Sequence, residues 1–188
     1  MSAPHVQSGV SGEDWARADF YALLSKLYSG RIDEQFIKSF KQLDKSSIDI
    51  TSPLGFEFME LIRAIEQTEP KAIIQEFDDL FIGVGRPDVM LFGSYYLAGF
   101  LNEKPLVALR DDLRRIGLEA DKTLTETEDH MAFLCEVMRF LILEENPPLP
   151  FDEQVRFFTQ HVAPWYARLC DAIEANPKAN FFKTVGRL

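Results

Sequence analysis

A chain of 188 residues, 46% of them hydrophobic, is long enough to bury a core without disulfides or metals, removing roughly 70% of its unfolded surface from water. Thirty acidic against 20 basic side chains leave a formal net charge of −10, and no basic run exceeds Arg114-Arg115, so nucleic acid is excluded as a partner while a basic peptide is suited. No apolar run approaches the roughly 20 residues of a membrane span, the first fourteen residues carry neither a basic nor an apolar signal region, and Cys135 and Cys170 form no Cys-x-x-Cys; a cytoplasmic protein without stable membrane insertion is expected.

Residues 1–12 are polar and read as a flexible N-terminus ahead of a single helical domain over 13–188. Ser11 with Asp14 signals the first helix, whose apolar face is Phe20, Leu23, Leu24, Leu27 and Tyr28; Tyr21 falls off that stripe and is free to face a groove. Asp33 opens a short helix carrying Phe36, Ile37 and Phe40. Pro53 starts a third with Leu54, Phe58, Leu61, Ile62 and Ile65 inward, and Pro70 a fourth with Ile73, Ile74, Phe77, Leu80 and Phe81 inward as far as Gly83. Residues 83–93 hold three glycines, a proline and no sustained period. They lack the Gly-Lys-Ser/Thr ending and the preceding strand of a phosphate-binding loop, so a flexible connection is the stronger reading.

Residues 94–100 are aromatic and read equally well as helix or extended chain. Pro105 starts a helix with Leu106, Leu109, Leu113 and Ile116 inward, closed by Gly117, and residues 118–124 form a polar connector. After Pro147-Pro148 a helix over 151–161 places Val155 and Phe158 inward, Pro164 restarts the helix with Trp165, Leu169 and Ile173, and Phe181, Phe182 and Val185 pack back on the body. Every long segment has period 3.6, which predicts an all-α bundle of eight to ten helices around a central buried helix at about 126–144.

That central helix carries Met131, Leu134, Cys135, Met138, Leu141 and Ile142 on one stripe and Phe133, Val137 and Phe140 on a second. Thr125 with Glu128 reads as its capping box, and Glu126, Glu128 and Asp129 suit the positive end of its dipole. Glu126 and His130 stand four apart without a second such pair, which is not the paired Glu-x-x-His of a dimetal site, and no Gly-x-Ser-x-Gly elbow occurs. No catalytic residue and no metal ligand is assigned. Acid/base use of His130 with Asp129 stays open beside a plainer role, Asp129 capping backbone N–H groups and His130 pairing with Glu126. His161 and Trp165, four apart, either line a pocket or belong to the core.

Leu80-Phe-Ile-Gly83, Gly93-Ser-Tyr-Tyr96, Glu126-Thr-Glu-Asp-His130 and His161-Val-Ala-Pro-Trp165 occur in an order that resembles the TorD/DmsD family of redox-enzyme maturation chaperones. The acidic block resembles the family's Glu-Pro-x-Asp-His, with Thr127 in place of the proline. The resemblance implies an all-helical cytoplasmic chaperone, not an enzyme, that binds the twin-arginine signal peptide of a molybdoenzyme catalytic subunit and delays export until the molybdenum cofactor is inserted. It places the peptide on Glu126, Glu128, Asp129 and His130, with Tyr21, Phe92, Ser94, Tyr95, Tyr96, His161 and Trp165 around them. It implies no tightly bound cofactor and leaves contact with the molybdenum cofactor or a guanine nucleotide open. A monomer or a helix-exchanged dimer hinged at 118–124 is expected. The alternatives are a nitrate-reductase-type assembly chaperone acting on a client that is not exported, and a small metal-dependent hydrolase using His130 and His161.

Overall fold

Local signals decide where the helices begin. In the computed structural model, which describes residues 10–83, 85–100, 104–119, 126–144 and 149–188, Ser11 Oγ accepts the Asp14 N–H at 3.1 Å while Asp14 accepts the Ser11 N–H, and this capping box starts α1 (Gly12–Tyr28). The segment expected to be flexible thus ends by Ser11; residues 1–9 and the connector at 120–124 lie outside the described residues. Asp33 accepts the Phe36 N–H to open α2 (Glu34–Lys41), and Ser52 with Pro53 opens α3 (Pro53–Gln67). The fourth helix, α4 (Pro70–Phe77), widens into a π-helical turn over Asp78–Ile82 that Gly83 ends at a φ of 59°. The undecided aromatic stretch is helical, α5 (Gly93–Ala98). Then follow α6 (Lys104–Arg115), α7 (Met131–Leu143), α8 (Phe151–His161), α9 (Tyr166–Ala175) and α10 (Phe181–Arg187). Among the described residues the fold is all-α, with one isolated β-bridge between Phe92 and His130.

The helix α7 is the centre of the bundle. Met131, Leu134, Cys135, Val137, Met138 and Leu141 are buried, and α1 packs along it. A second, aromatic part of the core forms where α10 folds back, with the Phe182 ring 5.8 Å from Phe77 and 5.0 Å from Phe81. One carboxylate anchors that return. Glu76 on α4 accepts the N–H groups of Asn180, Phe181 and Phe182 at 2.8, 3.0 and 2.8 Å, satisfying donors at the start of α10 that have no partner within the helix.

Three expected core residues face water. Leu54 is 53% exposed, since the first turn of α3 projects beyond its neighbours, and Ile74 is 40% exposed because α4 turns Ile73 and Phe77 inward. Val155 is 47% exposed. The α8 face is rotated from the one expected: Phe157 is fully buried and Gln154 donates to the Leu141 carbonyl at 3.3 Å, which directs positions 154, 157 and 161 toward α6 and α7.

The Glu76 anchor gives a direct test of the core. Glu76→Ala leaves three N–H groups without their acceptor and is expected to destabilise the protein by about 2 kcal/mol, read as a lower urea midpoint at unchanged slope.

Candidate functional site

The residues in front of α7 are not part of it. The helix starts at Met131, with His130 as its N-cap at φ −66° and ψ 135°, so the expected start near 126 is displaced by a turn; Thr125, the expected cap, lies outside the described residues. The reason is visible in where Asp129 sends its carboxylate. Oδ2 accepts the Ser94 N–H at 2.7 Å and Oδ1 accepts the Thr127 hydroxyl at 2.6 Å, so Asp129 caps the start of α5 rather than its own helix. Backbone bonds complete the clasp, from Gly93 N–H to the Asp129 carbonyl at 3.0 Å and from Met131 N–H to the Leu91 carbonyl at 2.8 Å. Of residues 83–93, expected to be a flexible connection, the part over 89–93 is tied down by this clasp and by the buried side chains of Val89 and Leu91; residue 84 lies outside the described residues. Arg86 stacks on the Tyr95 ring at 5.1 Å and bonds its hydroxyl.

His130 is buried under the clasp, its ring edge-on to Phe92 at 5.0 Å. Nδ1 accepts the Ala132 N–H at 3.2 Å, which places the ring proton of the neutral form on Nε2. Burial depresses the imidazole pKa below its ordinary value, against the opposing pull of the Glu126 and Asp129 charges. Glu128 is already paired: Arg110 Nε and Nη2 donate to its two oxygens at 2.9 and 2.8 Å. Partial burial pushes the Glu128 carboxyl up, but the bonds from Arg110 outweigh it and the pKa is lowered.

Two pockets border this turn. The first, about 260 Å³, is lined by Glu126, Thr127 and His130 from the turn, Glu136 from α7, and Ser25, Ser29 and Arg31 from the end of α1. The second, about 230 Å³, lies between α5, α6 and the end of α8, with Ser94, Asp112, Asp129, Gln160, His161 and Trp165 among its walls. There His161 Nε2 lies 2.7 Å from Asp112 Oδ2, and Arg156 donates to Asp112 Oδ1 at 2.7 Å. Trp165 is fully buried, its indole N–H donating to the His161 carbonyl at 2.7 Å and its ring stacked on Tyr96 at 5.5 Å. Gly93 permits that close fit, because a Cβ there would stand 2.9 Å from Trp165 Nε1. Tyr21 stands apart, in an apolar pocket of about 450 Å³ with Tyr28, Cys135, Phe158, Tyr166 and Cys170. Burial raises both thiol pKa values, which keeps them protonated.

The fold therefore brings Phe92, Ser94, Asp129 and His130 into one clasp, sets Tyr95, Tyr96, His161 and Trp165 beside it, and leaves Tyr21 in the separate apolar pocket. His130 and His161 line different pockets, and among the described residues no group of three or more His, Cys, Asp or Glu side chains is placed to hold a metal ion. Sequence reasoning passed over Arg110, Asp112 and Glu136. Glu136 had a signal, as a charge on an otherwise apolar helix; the other two acquire their meaning only from partners 18 and 49 residues away.

The family model for the nitrate reductase delta subunit matches residues 49–171, more than half of the chain. The chain belongs to this family, that of the TorD-type redox-enzyme maturation chaperones. It is 26% identical over 179 residues to the chaperone protein TorD of Vibrio cholerae, covering 85% of this chain and 81% of that protein. Against the chaperone protein TorD of Aliivibrio fischeri the identity is 23% over 187 residues, covering 90% and 87%. A solved protein from Archaeoglobus fulgidus assigned to redox enzyme maturation shares the fold with a TM-score of 0.59 at 19% identity, covering 100% of this chain and 93% of that one. The fold is thus shared at low sequence identity.

The clasp makes two predictions for this TorD-family chain. Asp129→Ala is expected to cost about 3 kcal/mol, because it orphans the buried Ser94 N–H and the Thr127 hydroxyl, whereas Glu128→Ala at the more open Arg110 pair costs about 1 kcal/mol or less; chemical denaturation compares them. His130, with a depressed folded pKa, contributes stability that is present above the unfolded value of about 6.5 and lost as pH falls through the folded value. The stability difference between the wild type and His130→Asn, a non-titrating N-cap, should therefore shrink as pH drops from 7 to 5, followed by urea midpoints.

Proposed function

We propose that this TorD-family chain is a cytoplasmic chaperone without catalytic activity that binds the twin-arginine signal peptide of a molybdoenzyme catalytic subunit and holds the apo-enzyme until its cofactor is inserted. The observation that carries the reading is the pocket lined by Glu126, His130 and Glu136, with one guanidinium, Arg31, and the hydroxyl-bearing Ser25, Ser29 and Thr127 in its walls; Glu136 also lies 3.6 Å from the Arg139 guanidinium, a pair open to solvent. A guanidinium from a client offers five donors in a fixed fork, and paired carboxylates with hydroxyls are its natural acceptors. A buried neutral His130 adds a polar wall without a repelling charge. Asp129 and Glu128 do not line this pocket but brace the turn that forms it, through Ser94, Thr127 and Arg110. The net charge of −10 draws a basic peptide toward this surface.

The match to the nitrate reductase delta subunit family supports a second reading, an assembly chaperone whose client is not exported. Co-purification with the client separates the two by whether the bound subunit carries a working export signal.

Glu126→Gln and Glu136→Gln each remove one negative charge while keeping the side-chain shape. Each is expected to weaken binding of a twin-arginine leader peptide about tenfold, equivalent to about 1.4 kcal/mol, with helix content unchanged. Calorimetry at rising salt should show the wild-type affinity falling as the Debye length shrinks to about 8 Å. Unchanged affinity in both variants removes the pocket from the site.

A further inference from the structure

The pocket on the α5 side of the turn holds a hydrogen-bonding group that the fold leaves unused. Ser94 is fully buried, its N–H is bonded to Asp129, and its Oγ has no hydrogen-bond partner among the described residues. A buried hydroxyl in that state carries a desolvation penalty that a bound polar group removes. Around it the pocket is rich in acceptors. Asp112 and Asp129 present carboxylates and Gln160 an amide; both oxygens of Asp129 and Oδ2 of Asp112 each keep a further lone pair beyond Ser94, Thr127 and His161, while Asp112 Oδ1 is already held by Arg156 and Arg115. The remaining walls include Leu97, Pro105, Ala108 and Leu109, apolar enough for the stem of an arginine.

Both pockets border the same turn: Asp129 lines one, and Glu126, Thr127 and His130 line the other. Successive side chains of an extended peptide point to opposite sides. We propose that the two consecutive arginines of the client are split between these pockets, one in the Ser94 pocket and one in the Glu126–Glu136 pocket, with the peptide backbone crossing over the turn at 127–130. This rests on the signal-peptide reading above. The direction of the peptide follows from the rim. Leu97, at the end of α5, lines the Ser94 pocket and is 39% exposed, with Pro105, Ala108 and Leu109 of α6 beside it in the same wall. This apolar wall suits the hydrophobic stretch that follows the arginines in a leader, so the second arginine occupies the Ser94 pocket and the first the Glu126–Glu136 pocket. The split site selects for two adjacent long planar cations, which a single acidic patch does not.

Calorimetry with four synthetic leaders, carrying Arg-Arg, Ala-Arg, Arg-Ala or Ala-Ala, tests the split against wild type, Ser94→Ala and Glu136→Gln. Ser94→Ala is expected to weaken Arg-Arg and Ala-Arg by about fivefold to tenfold and to leave Arg-Ala unchanged; Glu136→Gln is expected to do the converse. Because Ser94→Ala removes an unpaired buried hydroxyl, its Tm should not fall, and a folding defect would not spare one peptide while weakening another. If both variants weaken the same single-arginine peptide, or Ser94→Ala weakens none, the split site is wrong while the signal-peptide reading stands. If wild type binds Arg-Arg no more tightly than an Ala-Ala leader, the signal-peptide reading fails and takes the split site with it.

Discussion

The Asp129 carboxylate ties together two segments that are distant in sequence, its own turn and the start of α5. Only 4% exposed, it is an anion that the interior tolerates because the Ser94 N–H and the Thr127 hydroxyl meet its two oxygens. Those bonds, with the backbone pairs at Gly93 and Met131, fix the loop ahead of α5 to the front of α7. Everything near the site inherits its position from that clasp. Gly93 is pressed against Trp165, Trp165 bonds the His161 carbonyl at the end of α8, and His161 meets Asp112 on α6. Charge, aromatic packing and backbone geometry therefore converge on one turn of the chain.

Such an arrangement lets support and recognition share one turn. Asp129 and Glu128 hold the turn in place, Asp129 lining the Ser94 pocket as it does so, while Glu126 and Glu136 line the pocket on the other side. Arg110 holds the turn to α6, and Arg156 with His161 ties α6 to α8, so the walls of both pockets are braced before a ligand arrives. A preformed site spends little of its interaction energy on ordering itself. Buried Trp165 belongs to this brace: it stacks on Tyr96 and shapes a pocket wall without offering an exposed face.

The bundle was legible because helix signals are local. Ser11 with Asp14, Asp33, Pro53 and Pro70 each mark a helix start that the structure keeps, and the apolar periods of α1, α7 and α10 point to the faces that are buried. Misreadings came where tertiary partners overrule a local pattern. Glu128 three residues after Thr125 imitates a capping box, but Glu128 is drawn to Arg110 and Asp129 to Ser94, which delays the helix to Met131. On α8 a polar residue, Gln154, turns inward toward the Leu141 carbonyl and carries Val155 out to solvent. The site was legible as a cluster of residue types, not as an arrangement. No spacing rule connects Ser94 with Asp129 or Asp112 with His161, and which carboxylates are left facing a pocket depends on those pairings.

Amide chemical shifts followed by NMR while a twin-arginine leader peptide is titrated into the protein test the account at its centre. It predicts saturable changes at Ser94, Thr127, Asp129, His130 and Ala132, the backbone positions of the clasp and its two pockets, with smaller effects around Cys170 in the apolar pocket that Tyr21 lines. Changes confined to that apolar pocket, or none at stoichiometric peptide, would contradict it.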